Sequence, residues 1–323
     1  MTDLTCSFDH IDHPDILALQ PRLQDPDPGV RRIALIELAD LEEPDGLPWL
    51  IDRLAHDTAE AVRAQAAALL EAWEEREVVQ ALCEALTDPQ TSVREAAAES
   101  LSVLKTQEAG RVILPWTTHP DLSVRVAAFR ALRELRLDEA APAALHALDD
   151  KHAEVRREAV GVLGWLKKTD ALEALATLAS HDPDSEVRRA ATGALGLAND
   201  TRVLPALCKA LQDDIWQVRE EAATTLGKVG QQQAAGALIA ALNDEYWQVR
   251  LRAARSLGRL RHLDALGPLI EALNHSISNL RKEAALALGE LADKAARPAL
   301  LQLEHDADPE VRKAVRIALG QLQ

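Results

Sequence analysis

Three short segments of the chain carry residue types that could bind a metal ion or act as nucleophiles. Cys6, His10 and His13 have a spacing that a transition metal could use, but a fourth ligand is not evident and an acidic terminus explains the composition equally well. Cys83 and Cys208 lie in the apolar segments ALCEAL and ALCKAL, which indicates small core side chains. The sequence contains no Ser/His/Asp array, glycine-rich phosphate loop or Cys-x-x-Cys pair, so it predicts no catalytic residue, no metal site and no cofactor.

A cluster of aromatic and basic residues carries a stronger signal for binding. Trp216 and Trp247 stand 31 residues apart, and Tyr246 precedes the second tryptophan. Residues 250–261 contain five arginines and no acidic residue. Tryptophan and arginine are frequent anchors of protein interfaces, and arginine can hold a carboxylate through two parallel hydrogen bonds. The alternative is that the rings pack between neighbouring segments and the arginines pair with glutamates of those segments.

These residues belong to a unit that recurs along nearly the whole chain. A Val-Arg dipeptide, replaced once by Leu-Arg, begins at ten anchors that are 31 or 32 residues apart: Val30, Val62, Val93, Val124, Val155, Val187, Val218, Val249, Leu280 and Val311. A leucine follows every anchor by eight residues, an alanine follows nine anchors by four, and an aspartate precedes eight anchors by five. The spacing of anchor, alanine and leucine is that of one face of an α-helix, so each unit contains a helix that begins near its anchor.

Each unit also contains another helix, which lies before the one that begins near the anchor and is therefore the first helix of the unit. Leucine or isoleucine stands eleven residues before eight of the anchors, and a polar turn separates this position from the anchor. A two-helix unit cannot bury its apolar face alone, whereas stacked units can. The sequence therefore predicts an all-α fold, a right-handed α-solenoid of about ten two-helix repeats with a period of 31 residues.

The repeat also predicts how the chain is organised. We expect an acidic amino-terminal segment over residues 1–14 and a single solenoid domain over residues 15–323. An irregularity is expected at residues 107–120, because Pro115 falls inside the first helix of the fourth repeat. Either the helix bends there or it ends a turn early.

The repeated unit D-x-x-x-x-V-R-x-x-A-A-x-x-L-G resembles the short HEAT-like repeat of the phycobilisome-lyase type. Residues 213–230 (DDIWQVREEAATTLGKVG) and 244–261 (DEYWQVRLRAARSLGRLR) match that pattern best, and the resemblance covers about residues 15–323. It implies an armadillo-like solenoid in which the turn aspartate and the second-helix arginine form a ladder between units. The corresponding residues run from Asp25 and Arg31 to Asp306 and Arg312, and the sequence departs from the pattern at His119 and His275.

The resemblance allows three kinds of function, namely inert scaffolds, chromophore lyases and a di-iron hydroxylase similar to deoxyhypusine hydroxylase. The hydroxylase places His-Glu pairs directly after the ladder arginine. The matching pairs here lack every histidine: Arg157-Glu158, Glu220-Glu221 and Lys282-Glu283. Because two-metal chemistry needs those ligands, the resemblance does not extend to the hydroxylase.

One face of the second helices collects the candidate binding residues. In solenoids of this type, the residues two, three, six and ten positions after the anchor line the concave groove. With the neighbouring aromatic residues they form the predicted site in repeats five to nine: Trp165, Trp216, Glu221, Tyr246, Trp247, Arg252, Arg255 and Arg259. We expect Trp247, Arg252 and Arg255 to lie together on an accessible surface, and the two tryptophans of successive repeats to lie near one another.

Charge and composition restrict the class of partner. The chain has 36 basic and 52 acidic residues, a net charge of −16, whereas proteins that bind nucleic acid need basic surfaces. No apolar run is long enough to span a bilayer, and the three separated cysteines suit a reducing cytoplasm. We therefore expect a cytoplasmic protein with no membrane and no nucleic acid among its partners.

These observations together predict a non-catalytic protein-binding scaffold, adaptor or maturation chaperone. It would use the concave groove of repeats five to nine to hold a protein partner with an acidic segment. The alternative is an enzyme or enzyme subunit resembling the phycobilin lyases, with the same groove handling a bilin chromophore. Apolar residues at the carboxyl-terminal edge leave both a monomer and an end-to-end dimer open.

Overall fold

The computed structural model describes residues 13–197 and 200–322, which fold into helices without β-strands. The predicted all-α class is therefore confirmed. Contacts within the chain divide it into two compact units, the first ending at Leu166 and the second beginning at Lys167. Each unit is built from helix pairs, called helix A and helix B of a repeat.

In the first unit, odd-numbered helices are A helices and even-numbered helices are B helices. Their bounds are α1 (Pro14–Leu23), α2 (Pro28–Ala39), α3 (Leu47–His56), α4 (Glu60–Leu69), α5 (Arg76–Ala85), α6 (Thr91–Ser102), α7 (Gln107–Ile113), α8 (Leu122–Leu132), α9 (Ala141–Ala147) and α10 (Ala153–Leu166).

The second unit continues the same alternation. Its helices are α11 (Leu172–His181), α12 (Ser185–Leu195), α13 (Leu204–Ala210), α14 (Trp216–Val229), α15 (Ala235–Ala241), α16 (Trp247–Leu260), α17 (Leu266–Ala272), α18 (Ser278–Leu291), α19 (Arg297–Gln302) and α20 (Pro309–Gln321). Several A helices in both units begin with a short 3-10 turn, such as Leu263–Ala265 before α17.

The B helices bury the stripe that the period predicts. In α14 the anchor Val218, the small Ala222 and Leu226 are all fully buried. The small residues allow the next B helix to approach closely: a Cβ atom added to Gly258 of α16 would lie 2.7 Å from the Cα atom of Ala287 in α18. The late glycine of this repeat therefore serves close helix packing.

The fourth repeat changes helix type where its proline occurs. Helix α7 ends at Ile113, and the chain continues as a 3-10 helix over Leu114–Thr118, with Pro115 in its first turn. Proline suits the first turn because it has no N–H group to leave unpaired. The hydroxyl of Thr117 donates to the carbonyl oxygen of Leu114 at 2.7 Å, which stabilises the tighter turn.

An arginine at the start of most B helices joins two repeats. In the first unit, Nε and Nη2 of Arg31 donate to the two carboxylate oxygens of Asp57 at 2.7 and 2.6 Å. Nη1 of the same arginine donates to the main-chain carbonyl oxygen of Asp25 at 2.7 Å. The guanidinium thus fastens the turn of its own repeat and the turn of the next one. The side-chain partner of Arg31 is therefore the aspartate one repeat later.

The second unit repeats this geometry. Arg188 bonds the carboxylate of Asp213 at 2.7 and 2.9 Å, and Arg219 bonds that of Asp244 at 2.6 and 3.0 Å. Arg281 contacts Asp306 with two bonds of 2.8 Å. These two-point bonds have the geometry that gives arginine–carboxylate pairs their directional strength.

The ladder lowers the pKa of its aspartates. For Asp57, burial alone would raise the pKa, but the hydrogen bonds from Arg31 and from the Ala59 N–H outweigh it and the net pKa is lowered. The same balance, with Arg188 and Arg219 as the donors, lowers the pKa of Asp213 and Asp244. The folded protein therefore binds protons at these carboxylates less readily than the unfolded chain does.

This difference predicts acid-sensitive stability. A carboxylate whose pKa is lower in the folded state stabilises the fold above its unfolded pKa of about 3.9, and that stabilisation is lost as the pH falls through the folded pKa. We expect the free energy of unfolding, measured with denaturant at a series of pH values, to fall steeply below about pH 4. Asp57→Asn should lower stability at neutral pH and make the acid dependence shallower. An acid dependence identical to that of the wild type would contradict the role of this carboxylate.

Candidate functional site

One face of α16 presents a row of aromatic, aliphatic and basic side chains. Trp247, Leu251, Arg255 and Arg259 follow one another at intervals of four residues, so they share one face of the helix. The first three are half-buried and Arg259 is exposed. We call these four residues the α16 row. Arg252 lies beside the row and is also half-buried.

Two arginines of this helix are held by glutamates of the neighbouring B helices. Nε of Arg252 donates to Glu220 of α14 at 2.9 Å. Nε and Nη2 of Arg255 donate to the two carboxylate oxygens of Glu283 in α18, each at 2.7 Å. Because Glu283 is only 4% exposed, its pairing with Arg255 compensates a buried charge. The basic strip predicted from the sequence is thus partly neutralised by the chain itself.

Glu221 takes part in helix packing. It is half-buried, and a Cβ atom added to Gly193 of α12 would lie 3.0 Å from its Oε1 atom. The hydroxyl of Thr225 donates to the same oxygen at 3.4 Å. The carboxylate therefore lies over the glycine of the preceding B helix.

An aromatic stack stands at the amino-terminal ends of α14 and α16. The rings of Trp216 and Tyr246 are 5.5 Å apart between centroids and inclined by 14°. The guanidinium of Arg219 lies 5.6 Å from the centroid of the tyrosine ring, within the range of cation–π attraction. Tyr246 remains 39% exposed and Trp216 is half-buried.

The ring that stacks on Trp216 is that of Tyr246, one residue before Trp247. The sequence predicts only that the two tryptophans lie near one another. Tyr246 is the N-cap residue of α16, and its extended backbone (φ −94°, ψ 121°) places its ring against α14.

Trp165 lies in the first unit, whereas the other seven predicted residues lie in the second. Its ring is 39% exposed and lies 5.7 Å below the guanidinium of Arg136. Sequence reasoning did not identify Arg136 or Arg219 as partners of aromatic rings, because both contacts depend on how one repeat is displaced against the next.

The other candidate groups do not form a reactive site in the part of the chain that the structure describes. Cys83 is fully buried, and burial raises the pKa of its thiol and that of the half-buried Cys208. Cys6 and His10 lie outside the described residues. Within residues 13–197 and 200–322, no three His, Cys, Asp or Glu side chains are grouped so that they could hold a metal ion.

None of the described helices combines the length and the apolar character that crossing a bilayer requires.

The family of the chain follows from its repeats. The model of the family described as HEAT repeats matches residues 7–71, 47–116, 110–196, 173–248 and 235–320. Because these matches extend over nearly the whole sequence, the chain belongs to the HEAT-repeat family. No curated protein matches the sequence significantly.

Solved structures show the same architecture. Yeast importin-β, Kap95p, in complex with Nup1 is 15% identical with a TM-score of 0.66, and the match covers 96% of this chain and 51% of that one. The Escherichia coli protein YibA is 21% identical with a TM-score of 0.61, covering 83% and 98%. An engineered protein is 22% identical with a TM-score of 0.51, covering 96% and 99%. At these identities the likeness shows the fold alone, which confirms the α-solenoid class.

The unequal roles of two arginines on α16 can be tested by truncation. Arg255→Ala would leave the buried Glu283 without its two-point partner, so we expect a loss of about 2 kcal/mol in the free energy of unfolding. Arg259→Ala removes an exposed side chain of the same row and should change stability by less than about 0.5 kcal/mol. Denaturant titration of both variants measures the difference. Equal effects would show that the Arg255–Glu283 pair does not stabilise the fold.

Proposed function

We propose that the protein is a non-catalytic scaffold, an adaptor or maturation chaperone of the cytoplasm, which holds a protein partner against the B helices of its second unit. The observation that carries this proposal is the α16 row, a half-exposed line of Trp247, Leu251, Arg255 and Arg259 with the Trp216–Tyr246 stack beside it. Trp165, over which Arg136 lies, is a further anchor in the first unit. We also propose that the repeats are of the short phycobilisome-lyase type.

The chemistry of the row favours a polypeptide as the ligand. Aromatic rings supply apolar area at low entropic cost, and tryptophan and arginine dominate the energetics of many interfaces. Arg252 and Arg255 are already paired with glutamates, which neutralise their charge and make them weaker attractors of an acidic partner than Arg259. The exposed Arg259 is the residue that meets an acidic side chain of the partner.

The family supports a protein-binding role. Yeast importin-β, which shares the fold, forms a complex with Nup1. The binding of importin-β to RanGDP also changes the conformation of the switch loops of RanGDP. A stack of B helices offers a continuous surface to an extended partner in such solenoids. Because the chain as a whole has a net charge of −16, the two arginines that end the α16 row, Arg255 and Arg259, distinguish this surface.

Affinity capture from a lysate of the source cells tests the proposal. Wild-type protein is compared with Arg259→Glu, and with Arg316→Glu, which reverses an exposed arginine on α20. We expect the wild type and Arg316→Glu to capture the same partner. When the purified proteins are titrated by calorimetry, Arg259→Glu should bind that partner at least tenfold more weakly, a difference of about 1.4 kcal/mol.

The remaining outcomes argue against the proposal in different ways. Retention of the same partner by all three proteins would place the site elsewhere on the chain. Capture of no protein, together with a new visible absorbance band on addition of a bilin, would favour the alternative that resembles the phycobilin lyases.

A further inference from the structure

One rung of the ladder in the second unit lacks its carboxylate. The arginine that begins α16 is Arg250, and the position one repeat later that holds aspartate at most junctions is His275. At the preceding junction, Arg219 gives both Nε and Nη2 to Asp244. Among the described residues, the buried Nε of Arg250 finds no hydrogen-bond acceptor.

The aspartate of a rung accepts a main-chain N–H of its own turn and also pairs with an arginine, and His275 does only the first of these. Its Nδ1 atom accepts the main-chain N–H of Ile277 at 3.0 Å, as the carboxylate of Asp244 accepts that of Tyr246 at 2.9 Å. With Nδ1 accepting, the proton of the neutral imidazole resides on Nε2, so the ring has no lone pair left for a guanidinium. The turn is closed but the arginine is not paired.

The imidazole remains neutral at ordinary pH. Burial lowers the pKa of His275, and the positive charges of Arg250 and Arg281 lower it further. Arg281 itself is occupied, because it bonds Asp306 and the carbonyl oxygen of His275. Among the described residues of this junction, Arg250 is therefore the cation whose Nε donor lacks an acceptor.

An open cleft lies beside the position of the missing carboxylate. Similar clefts lie beside the paired rungs Arg188–Asp213 and Arg125–Asp150, so the unpaired Nε of Arg250 is what distinguishes this one. The cleft has a volume of about 300 Å³ and lies between α15 and α17, with Arg250 and His275 in its wall and Asn243 and Asn274 beside them. This volume is roughly ten times that of a water molecule in the liquid, which is about 30 Å³. A carboxylate group with its attached carbon chain can enter.

We propose that this cleft is a binding site for a carboxylate from outside the chain, which takes the position that aspartate occupies at the other rungs. The carboxylate accepts from Nε and Nη2 of Arg250, as Asp244 and Asp213 accept from their arginines. The source is either a free small carboxylate or the aspartate or glutamate side chain of a peptide, since both present the same group. The site is separate from the α16 row.

Glu271 sets the limit on affinity. It lies in the same cleft and is exposed, and its negative charge opposes that of the ligand. Glu271→Gln should therefore strengthen carboxylate binding severalfold. If Glu271 were instead the partner of Arg250, the same variant would destabilise the protein and leave binding unchanged.

NMR of arginine Nε–Hε groups in the full chain tests the proposal. The resonance of Arg250 is assigned by its absence in Arg250→Lys, and sodium acetate is added against sodium chloride at equal ionic strength. We expect a saturating shift of the Arg250 resonance, whereas that of Arg188, already bonded to Asp213, stays in place. Acetyl-aspartate amide and acetyl-asparagine amide follow as probes: the first should bind and the second should not. Tighter binding of the aspartate amide than of acetate identifies a peptide side chain as the source, and equal binding identifies a free carboxylate.

Two variants change which ladder arginine lacks a carboxylate. His275→Asp supplies the missing carboxylate from within, so it should raise the midpoint of thermal unfolding and abolish the acetate shift of Arg250. Asp213→His opens an equivalent gap and should make Arg188 responsive to acetate. The proposal is overturned if the Arg250 resonance ignores acetate, or if His275→Asp still shows the shift.

Discussion

The structure depends on the guanidinium group that bridges two turns. A turn between two helices has main-chain carbonyl groups without helical partners, and the ladder arginine satisfies them while it holds the carboxylate of the next turn. In the second unit, Nη1 of Arg219 donates to the carbonyl oxygen of Asp213 at 2.8 Å while Nε and Nη2 hold Asp244. One side chain thus bonds both the turn of its own repeat and the turn of the following repeat.

The B helices are also joined by direct packing. Successive B helices approach one another closely, and only small residues fit where they meet, as at Gly258 and Ala287. The ladder position of this junction holds His275, so the close approach there does not depend on an arginine–aspartate bond. The same approach allows Glu283 of α18 to accept two hydrogen bonds from Arg255 in α16. The α16 row lies beside these contacts: Trp247, Leu251 and Arg255 stay half-exposed, and Arg259 is exposed.

The period was sufficient to predict the class of fold, the paired helices and the buried stripe of Val218, Ala222 and Leu226. It could not predict the displacement of one repeat against the next. That displacement decides that Trp216 stacks on Tyr246, and it pairs Arg252 and Arg255 with glutamates that are 32 and 28 residues away. Separations this close to one period were a usable signal for those pairs. The histidine at position 275 was a second signal, since it breaks a pattern of aspartates, and the Nε of Arg250 has no acceptor among the described residues.

A double-mutant cycle on Arg188 and Asp213 is the most direct test of the ladder. The free energies of unfolding of Arg188→Gln, Asp213→Asn and the double variant would be compared with that of the wild type by denaturant titration. If the pair joins two repeats as described, the coupling energy should exceed about 1 kcal/mol, and each single variant should lose nearly as much stability as the double variant. Additive losses would contradict the claim that this arginine and this aspartate stabilise the stack through each other.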